Sequence, residues 1–476
     1  MVRVERFRLR TRLFAVVASL FAGSCAAAQT PAPPSLFARP AYATLEPQLI
    51  DLPTVLRLVD QNSPVIGFAR ARVLAAQARE DRADVAWLPN LVVGVQYNRF
   101  DGQTQNQRGE VFGVSRGNLF AGGGPSLHID TADAYFDRLI LRRLSEAERR
   151  QAAQTRVDAQ LEAVLAYLDL VQIYGQIAVN AATLTRGESM LKFAQNARAA
   201  QLSKTAADVN RAQTEVYLRM QERVELRGRA AVASARLARL LLLQPSVDLS
   251  PADAAIAPVV LIDSTCTLEG LIAIAYRTRS DLEAYRALTA AANERIAKAR
   301  QGPLFPHVMV DQQTGGFGGG VNDKLGQFSS RSVLGVGVYW QVQNLGFGNA
   351  ALTRERRAEF DQTLYRFSGA QAQVAAEVSE SAKLAAAKYE SLEVAQKAVA
   401  EATEMFRKLQ ESSFNMIGPR AQYDALEPLT AIQQLNQAQL GYLNAVLDFN
   451  RAQFRLFAAL GYPVVHSQPG SSRAEK

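Results

Sequence analysis

The feature that most constrains the fold is an internal repeat, because the chain contains the same arrangement twice. Each copy has a short helical tract, a polar break, a longer helical tract and a stop made of apolar residues and a proline. The longer tract covers residues 65–86 in the first copy and 282–300 in the second, and the stops are Trp87-Leu88-Pro89 and Leu304-Phe305-Pro306. The spacing matches apart from one extra residue in a turn. We therefore predict one duplicated unit, although 476 residues would allow several unrelated domains.

Residues that alternate between apolar and polar follow each proline stop. In 90–97 every second residue from position 91 is apolar, and in 332–342 Leu334, Val336 and Val338 share one face. Shorter alternating stretches lie at 126–130 and 308–311. This pattern predicts four strands, two per half, that separate two unlike environments. Glycine-rich loops at 101–124 and 314–330 are expected to join each pair, and the glycine run 315–320, which lacks a G-x-G-x-x-G spacing, is interpreted as a mobile loop.

Two very long helical tracts are predicted at 132–243 and 350–460, where Ala, Gln, Glu, Arg and Leu dominate. Tracts of this length are typical of coiled coils and similar arrays. Breaks near residues 203–205 and at Gly418-Pro419 would fold each tract into a hairpin. The arm 132–198 would span ~100 Å as a helix. The many small residues of both tracts favour close helix packing and thin walls, and their Gln and Asn residues suit a solvated face or an aqueous lumen.

The first 28 residues predict a secretory leader, since five Arg precede an apolar stretch at 13–22 and then small residues. Two processing sites stay open. Ala26-Ala27-Ala28 is an A-x-A cleavage site, whereas residues 22–25 resemble a lipobox that would leave Cys25 acylated. In either case Cys266 is left without a disulfide partner. Loss of the leader lowers the formal net charge from +8 to +4, so half of the basic balance belongs to the leader.

Several classes of function are disfavoured. There is no apolar stretch of the ~18 residues that a membrane-spanning helix needs. His128, His307 and His466 show no helical metal spacing, no phosphate-binding loop is present, and basic residues do not interleave with aromatic ones. We expect no enzyme activity, no catalytic residues, no cofactor, no metal and no nucleic-acid partner. Energy for any transport must then come from a partner protein.

Unpaired sheet edges are the main problem for a single copy of this chain. Two separated pairs of strands cannot close a sheet, and exposed edges promote pairing with other chains. Rotationally arranged copies could supply enough strands for a closed barrel, which is what a membrane requires. Tyr97, Tyr339 and Trp340 could then be aromatic anchors at the membrane interface, or could serve in ordinary sheet packing.

The order of these elements resembles that of the TolC-like outer-membrane efflux family, the outer-membrane channel component of tripartite efflux or type I secretion systems. The resemblance covers about residues 48–463 and rests on the twin helical openings with their proline stops. Residues 340–348, WQVQNLGFG, resemble the family's strand-to-helix junction, and residues 457–461, FAALG, resemble its usual end.

The resemblance implies a mainly α fold with a small membrane β part. Long helical hairpins would form a periplasmic α-barrel, and four strands from each copy of a homotrimer would form a 12-stranded β-barrel. Expected partners are outer-membrane lipid, a periplasmic adaptor (membrane fusion) protein and an inner-membrane pump. The channel would lie in the outer membrane with a long periplasmic extension. The alternative is a periplasmic coiled-coil scaffold or adaptor without a pore.

A periplasmic gate is implied by the same resemblance. Gly418, Arg420 and Asp424 resemble the family's Gly-x-Arg-x3-Asp turn, and Glu427 adds an acid three residues later. Asp208, in the sequence DVNRA, resembles an acid on the partner helix. Asp424 and Glu427 lie on one helix face, so three copies would place acidic rings at the entrance, as in cation-selective constrictions. The alternative is that these charges are solvated helix ends.

The expected boundaries follow from these tracts. They are a signal peptide at 1–28, an extended Pro-rich linker at 29–50, a first structural repeat at 51–245, an inter-repeat linker at 246–266, a second structural repeat at 267–463, and a disordered tail at 464–476.

Overall fold

A computed structural model describes residues 47–200, 207–244, 246–252, 256–262, 266–322, 324–414 and 426–463. The described residues all belong to one compact unit. The predicted leader with Cys25, most of the Pro-rich linker and the tail lie outside the described residues. The two predicted hairpin turns, near 203–205 and at Gly418-Pro419, also lie outside them.

The described ranges form a mainly α fold with a small antiparallel sheet, as predicted. The helices are α1 (Leu52–Asn62), α2 (Pro64–Asp84), α3 (Thr131–Ala199), α4 (Ala207–Leu240), α5 (Leu268–Thr278), α6 (Ser280–Gln301), α7 (Phe347–Phe414) and α8 (Leu426–Ala459). The strands are β1 (Gln48–Ile50), β2 (Asn90–Gln105), β3 (Val111–Asp130), β4 (Leu249–Pro251), β5 (His307–Val321) and β6 (Gly326–Tyr339). In this part of the chain no helix has a segment long and apolar enough to cross a lipid bilayer.

Corresponding positions of the two halves make corresponding contacts. The Arg70 guanidinium donates a hydrogen bond to the Asp60 carbonyl oxygen, and the Arg286 guanidinium donates one to the Tyr276 carbonyl oxygen, both at 3.0 Å. The short helices α1 and α5, together with the first turns of α2 and α6, also bury corresponding residues against the long helices. These buried positions are Val55, Val59 and Ile66 in the first half and Leu271, Ala275 and Leu282 in the second.

The helices lie side by side in two layers that share α3 and α7. Next to the sheet the order is α2-α3-α6-α7, and beyond it the order is α4-α3-α8-α7. In the first layer Phe136 and Ile140 of α3 pack on Ala291 of α6. In the second, the Thr183 hydroxyl of α3 donates to the Asn436 side chain of α8 at 3.0 Å. One open edge is formed by α2 in the first layer and by α4 in the second. The other open edge is formed by α7 in both layers.

The four long strands form one antiparallel sheet in the order β2-β3-β5-β6. The prediction of two separated pairs was wrong, because β3 pairs with β5 from Asp130↔His307 to Arg116↔Val321. The predicted loops 101–124 and 314–330 were also wrong, since β2, β3, β5 and β6 occupy most of them. The glycine run 315–320 lies within β5 and carries a bulge between Phe317 and Gly319.

Glycine is required where β3 and β5 approach each other. A Cβ atom at Gly122 would lie 2.4 Å from the Thr314 carbonyl oxygen, and one at Gly315 would lie 2.3 Å from the Ala121 carbonyl oxygen. Real Cβ atoms do not approach that closely, so only glycine fits these two positions. Glycine in these tracts therefore indicates a close backbone approach between strands and not a loop.

Two short strands were not predicted. β1 and β4 pair in parallel, with Leu49 opposite Ser250, and they lie in segments expected to be linkers. Ile50 and Leu249 are buried in the largest apolar cluster, with Leu170, Leu237 and Leu447 of the long helices. The pair joins the start of the first half to the segment between the halves.

Candidate channel surfaces and gate residues

One face of the sheet is apolar and open to solvent in the single chain. It is built from alternate residues of β2 and β6 together with the central strands. Val93 is 74% exposed and Val336 is 66% exposed. Aliphatic side chains on both edge strands share this face, namely Leu91, Val93, Val95, Leu334, Val336 and Val338. An aliphatic surface of this kind is suited to hydrocarbon and unfavourable in water.

The opposite face carries polar and charged groups. The His128 Nε2 atom lies 2.6 Å from an Asp311 carboxylate oxygen, and the Ser126 hydroxyl donates to the other Asp311 oxygen at 2.5 Å. Nearer the hairpin ends, the Arg116 guanidinium carbon lies 5.4 Å from the Phe100 ring centroid. A sheet with one apolar and one polar face has the alternation of a barrel with a wet interior.

The three aromatic residues predicted as interface anchors lie in three different environments. Tyr97 is on the apolar face. Tyr339 stacks on His307 with ring centroids 5.0 Å apart, so it belongs to the polar face. Trp340 follows β6 and its indole N–H donates to the Leu304 carbonyl oxygen at 3.2 Å, which joins the two segments that flank the β5-β6 hairpin. Their role at a membrane interface stays a prediction.

The sheet and the helix layers are open at the same two sides. β2 pairs only with β3 and β6 only with β5 among the described strands, so each leaves a row of unpaired backbone groups. β2 directly follows α2, and β6 leads into α7. The side with β2 therefore continues as α2 and α4, and the side with β6 continues as α7.

Exposed residues, most of them small or apolar, recur at spacings of three and four along α4. We call the set Tyr217, Gln221, Val224, Gly228, Ala231 and Ala235 the α4 seam. This spacing is the signature of a helix that packs against a partner helix. Within the described residues no helix covers the α4 seam.

The other open edge has a similar pattern, which the exposed and charged Glu380 interrupts between Ala376 and Leu384. We call the exposed residues Ala358, Gln362, Tyr365, Gly369, Ala372, Ala376, Leu384, Ala387, Ser391, Val394 and Ala398 of α7 the α7 seam. Small residues at such positions let helix backbones approach closely. Sequence reasoning missed both seams, because the spacing alone does not tell which face of a long helix is already covered.

The predicted gate residues are only partly within the described ranges. Asp208 lies in the first turn of α4, its side chain is 2% exposed, and its carboxylate lies 3.3 Å from the Arg211 guanidinium. Glu427 lies in the first turn of α8 and is exposed. An acid in a first turn stabilises a helix by ~0.3–1 kcal/mol. Arg420, Asp424 and Gly418 lie outside the described residues, as does Cys25, so these assignments stay predictions.

Comparison with known proteins identifies the fold. No family model and no curated relative matches the chain. Among solved structures, the outer-membrane channel OprN is 20% identical with a TM-score of 0.69, covering 86% of this chain and 89% of its own. The outer membrane protein VceC of Vibrio cholerae is 17% identical with a TM-score of 0.67, covering 86% and 96%. The open MtrE outer membrane channel of Neisseria gonorrhoeae is 16% identical with a TM-score of 0.66, covering 86% and 88%. The chain has the TolC-like outer-membrane channel fold.

Buried polar contacts hold the hairpins of this TolC-like fold together, and sequence reasoning missed them. The Arg219 guanidinium of α4 bonds the Glu215 and Glu222 carboxylates at 2.8 and 2.6 Å. The Gln433 amide of α8 donates to Glu215 at 2.9 Å, and the Asn180 amide of α3 donates to Glu222 at 2.9 Å. The spacing of Glu215, Arg219 and Glu222 indicates ion pairs within α4. Their partners on α3 and α8 come from the tertiary packing.

Proposed function

We propose that three copies of this chain form a channel in the outer membrane. The channel passively exports substrates, such as drugs, ions or secreted proteins, that an inner-membrane pump and a periplasmic adaptor deliver. The observation that carries the proposal is that the sheet and both helix layers are open along the same two sides. A single rotation would place the β6 and α7 side of one copy against the β2 side of the next. That contact would cover the open edges of the sheet and of both helix layers.

Closure of the sheet is the first step. β2 of one copy would pair with β6 of the next, which removes both rows of unpaired backbone groups. Four strands from each of three copies give a 12-stranded barrel, with the aliphatic face toward lipid and the His128–Asp311 face toward the interior. The long strands of 14 to 20 residues exceed the ~9–11 residues needed to span a bilayer.

Closure of the helices is the second step. The α4 seam of one copy would pack against the α7 seam of the next and bury residues that a single copy leaves in water. Gln221 and Gln362 within the seams fit an interface that stays close to an aqueous lumen. α3 has 69 residues and therefore a length of ~100 Å, which suits a tunnel that continues the barrel into the periplasm.

The duct itself is proposed to be passive, with no enzyme activity. The sequence has no phosphate-binding loop, so the inner-membrane pump supplies the energy and the adaptor connects it to the helical end of the channel. The resemblance to tripartite systems supports these partners. Export through a secretory leader at 1–28, with or without acylation of Cys25, is the proposed route to the membrane.

A periplasmic scaffold without a pore is the alternative. The exposed aliphatic face of the sheet argues against it, because a water-soluble scaffold would gain by covering Val93 and Val336. Detergent dependence separates the two functions. A scaffold would remain soluble after detergent removal, whereas the channel would aggregate or insert into lipid.

The decisive experiment measures mass and conductance on one preparation of the full chain in detergent. We expect the mass of three chains, by native mass spectrometry, and stepwise ion currents of uniform size after addition to planar bilayers. A monodisperse monomer that stays soluble without detergent and produces no currents would disprove the channel.

A further inference from the structure

A cavity of about 320 Å³ lies between α3, α7 and α8, toward the hairpin ends of these helices. Volumes of this order are typical of sites for small molecules. The walls are mostly apolar and include two phenylalanines, a methionine and an isoleucine. Its lining residues are Thr185, Arg186, Ser189, Met190, Phe193, Phe406, Leu409, Gln410, Pro428 and Ile432.

Arg186 is the one charged residue of this lining, and it has no carboxylate partner in the described part of the chain. Its guanidinium donates to the Gln439 amide oxygen at 3.4 Å and lies 5.7 Å from the centroid of the Phe406 ring. Burial lowers the pKa of Arg186 below its ordinary value. A half-buried cation without a counter-ion is costly, and an anion in the cavity would relieve that cost.

Two other half-buried arginines of the helical layers, Arg219 and Arg451, have carboxylate partners. The Arg219 guanidinium bonds two glutamates, and the Arg451 guanidinium lies 2.6 Å from an Asp169 oxygen. The two hydroxyl groups of the cavity do not replace a carboxylate, since Thr185 and Ser189 donate to carbonyl oxygens of their own helix at 3.1 and 2.9 Å. Arg186 thus lacks the carboxylate partner that Arg219 and Arg451 have, and it lines a mostly apolar cavity.

We propose that this cavity binds a small aromatic carboxylate, whose ring packs among Met190, Phe193 and Phe406 and whose carboxylate pairs with Arg186. A guanidinium presents parallel N–H groups that fit a carboxylate in a bidentate pair. A cationic ligand would be repelled, and a neutral one would leave the guanidinium unpaired. The site goes beyond the proposed channel and does not depend on pore formation.

The test measures binding of 1-naphthoate to the full chain in detergent by isothermal titration calorimetry. Neutral 1-naphthamide and cationic 1-naphthylmethylammonium have nearly the same ring body and serve as controls for partition into micelles. We expect saturable binding of 1-naphthoate that is at least about tenfold tighter than that of either analogue, because only the anion pairs with the guanidinium. Equal affinity for the three compounds would overturn the proposal.

Variants then locate the site. Arg186→Gln should weaken 1-naphthoate binding at least about tenfold, and Arg186→Lys should weaken it less, because the charge is kept while the bidentate geometry is lost. Arg198→Gln removes an exposed arginine from the same helix outside the lining and should bind like the unmodified protein. Circular dichroism establishes that each variant keeps its helical content. Unchanged binding in a folded Arg186→Gln protein would contradict the assignment.

Because binding is measured at equilibrium, a protein that conducts no ions can still bind 1-naphthoate. Failure of the carboxylate site and failure of the channel are therefore distinguishable.

Discussion

At the scale of single residues, Val92 and Val93 separate the two faces of the sheet. They are neighbours in β2, both are exposed, and they point to opposite faces. Arginine at a lipid-facing position near the bilayer midplane costs ~2–4 kcal/mol, while a residue facing the lumen tolerates charge. We expect Val93→Arg to reduce the amount of trimer recovered from outer membranes severalfold and Val92→Arg to leave it nearly unchanged.

The comparison needs both variants, expressed to equal levels, with the trimer quantified after detergent extraction of the outer membrane. Since the two substitutions have the same chemistry in adjacent positions, a general effect of arginine on folding would affect both. Equal recovery of the two proteins would mean that the sheet does not separate lipid from water.

Asp60 supplies a residue-scale prediction about pH. Burial alone would raise its pKa, but the hydrogen bonds and charge of Arg156, with a hydrogen bond from Gln160, lower the pKa below the ordinary value. The Arg156 Nε and Gln160 amide groups donate to one carboxylate oxygen at 2.8 and 2.9 Å and tie α1 to α3. An acid whose pKa is lower in the folded state than in the unfolded state stabilises the fold at pH values above its unfolded pKa. This stabilisation is lost as the pH falls through the folded pKa.

We therefore expect Asp60→Asn to lower the free energy of unfolding by ~1–2 kcal/mol at pH 7 and by progressively less below about pH 4. Denaturant unfolding followed by circular dichroism at both pH values measures the difference. Asp81→Asn, at an exposed position of α2, is the control and should have little effect. A loss that persists unchanged at low pH would show that the carboxylate charge is not what stabilises the contact.

At the scale of helices, the α4 seam predicts which face of α4 meets another copy. Val224 is in the seam, whereas Val232 is exposed on a flank of α4, where it lines a cavity beside α3. Burial of a valine side chain stabilises an interface by ~1.5–3 kcal/mol, and an arginine in its place must also be desolvated. We expect Val224→Arg to shift the protein from trimer toward monomer and Val232→Arg to leave it trimeric.

Native mass spectrometry over a range of dilutions measures this shift, with the helical content as a check of folding. If Val232→Arg dissociates the trimer as readily as Val224→Arg, the seam is not the contact surface.

The long helices could be predicted from sequence because their composition and their lack of proline both favour helix. The expected arm 132–198 matches α3 (Thr131–Ala199) closely. The strands were predicted too short for a physical reason. At Gly122 and Gly315 glycine allows two backbones to approach, but in a sequence it resembles a loop, since local propensity does not report a partner strand.

The candidate site was predictable to a lesser extent. Alternation correctly placed Val93 and Val336 on one face, because that pattern depends only on strand geometry. The seams depend on which helix covers which face, as for Val224, and the Glu215–Gln433 contact joins residues from different halves of the chain. Such information arises only when the elements pack, so sequence periodicity alone could not supply it.

At the scale of the whole molecule, one copy leaves both of its sides incomplete, and the proposed function exists only in the closed assembly. The β2 side and the α7 side are different surfaces, so their contact is heterologous. A contact of this kind repeats until the rotation closes. Three copies with four strands each would supply the 12 strands of the proposed barrel, so the channel and the trimer are one proposal.

Ion selectivity would be a property of the proposed closed assembly, and we expect the predicted gate to determine its sign. Three copies of Asp424 and Glu427 would place up to six carboxylates around one narrow entrance, where fixed charge has its largest effect on passing ions. We expect a cation-selective channel whose reversal potential in a potassium chloride gradient moves toward zero in the Asp424→Ala, Glu427→Ala variant. The matched control is Glu390→Ala with Glu393→Ala, two exposed acids of α7 with the same spacing, away from the hairpin end. A control that shifts the reversal potential as far as the gate variant would assign selectivity to the net charge of the tunnel, and unchanged potentials in both would remove the acidic rings from the mechanism.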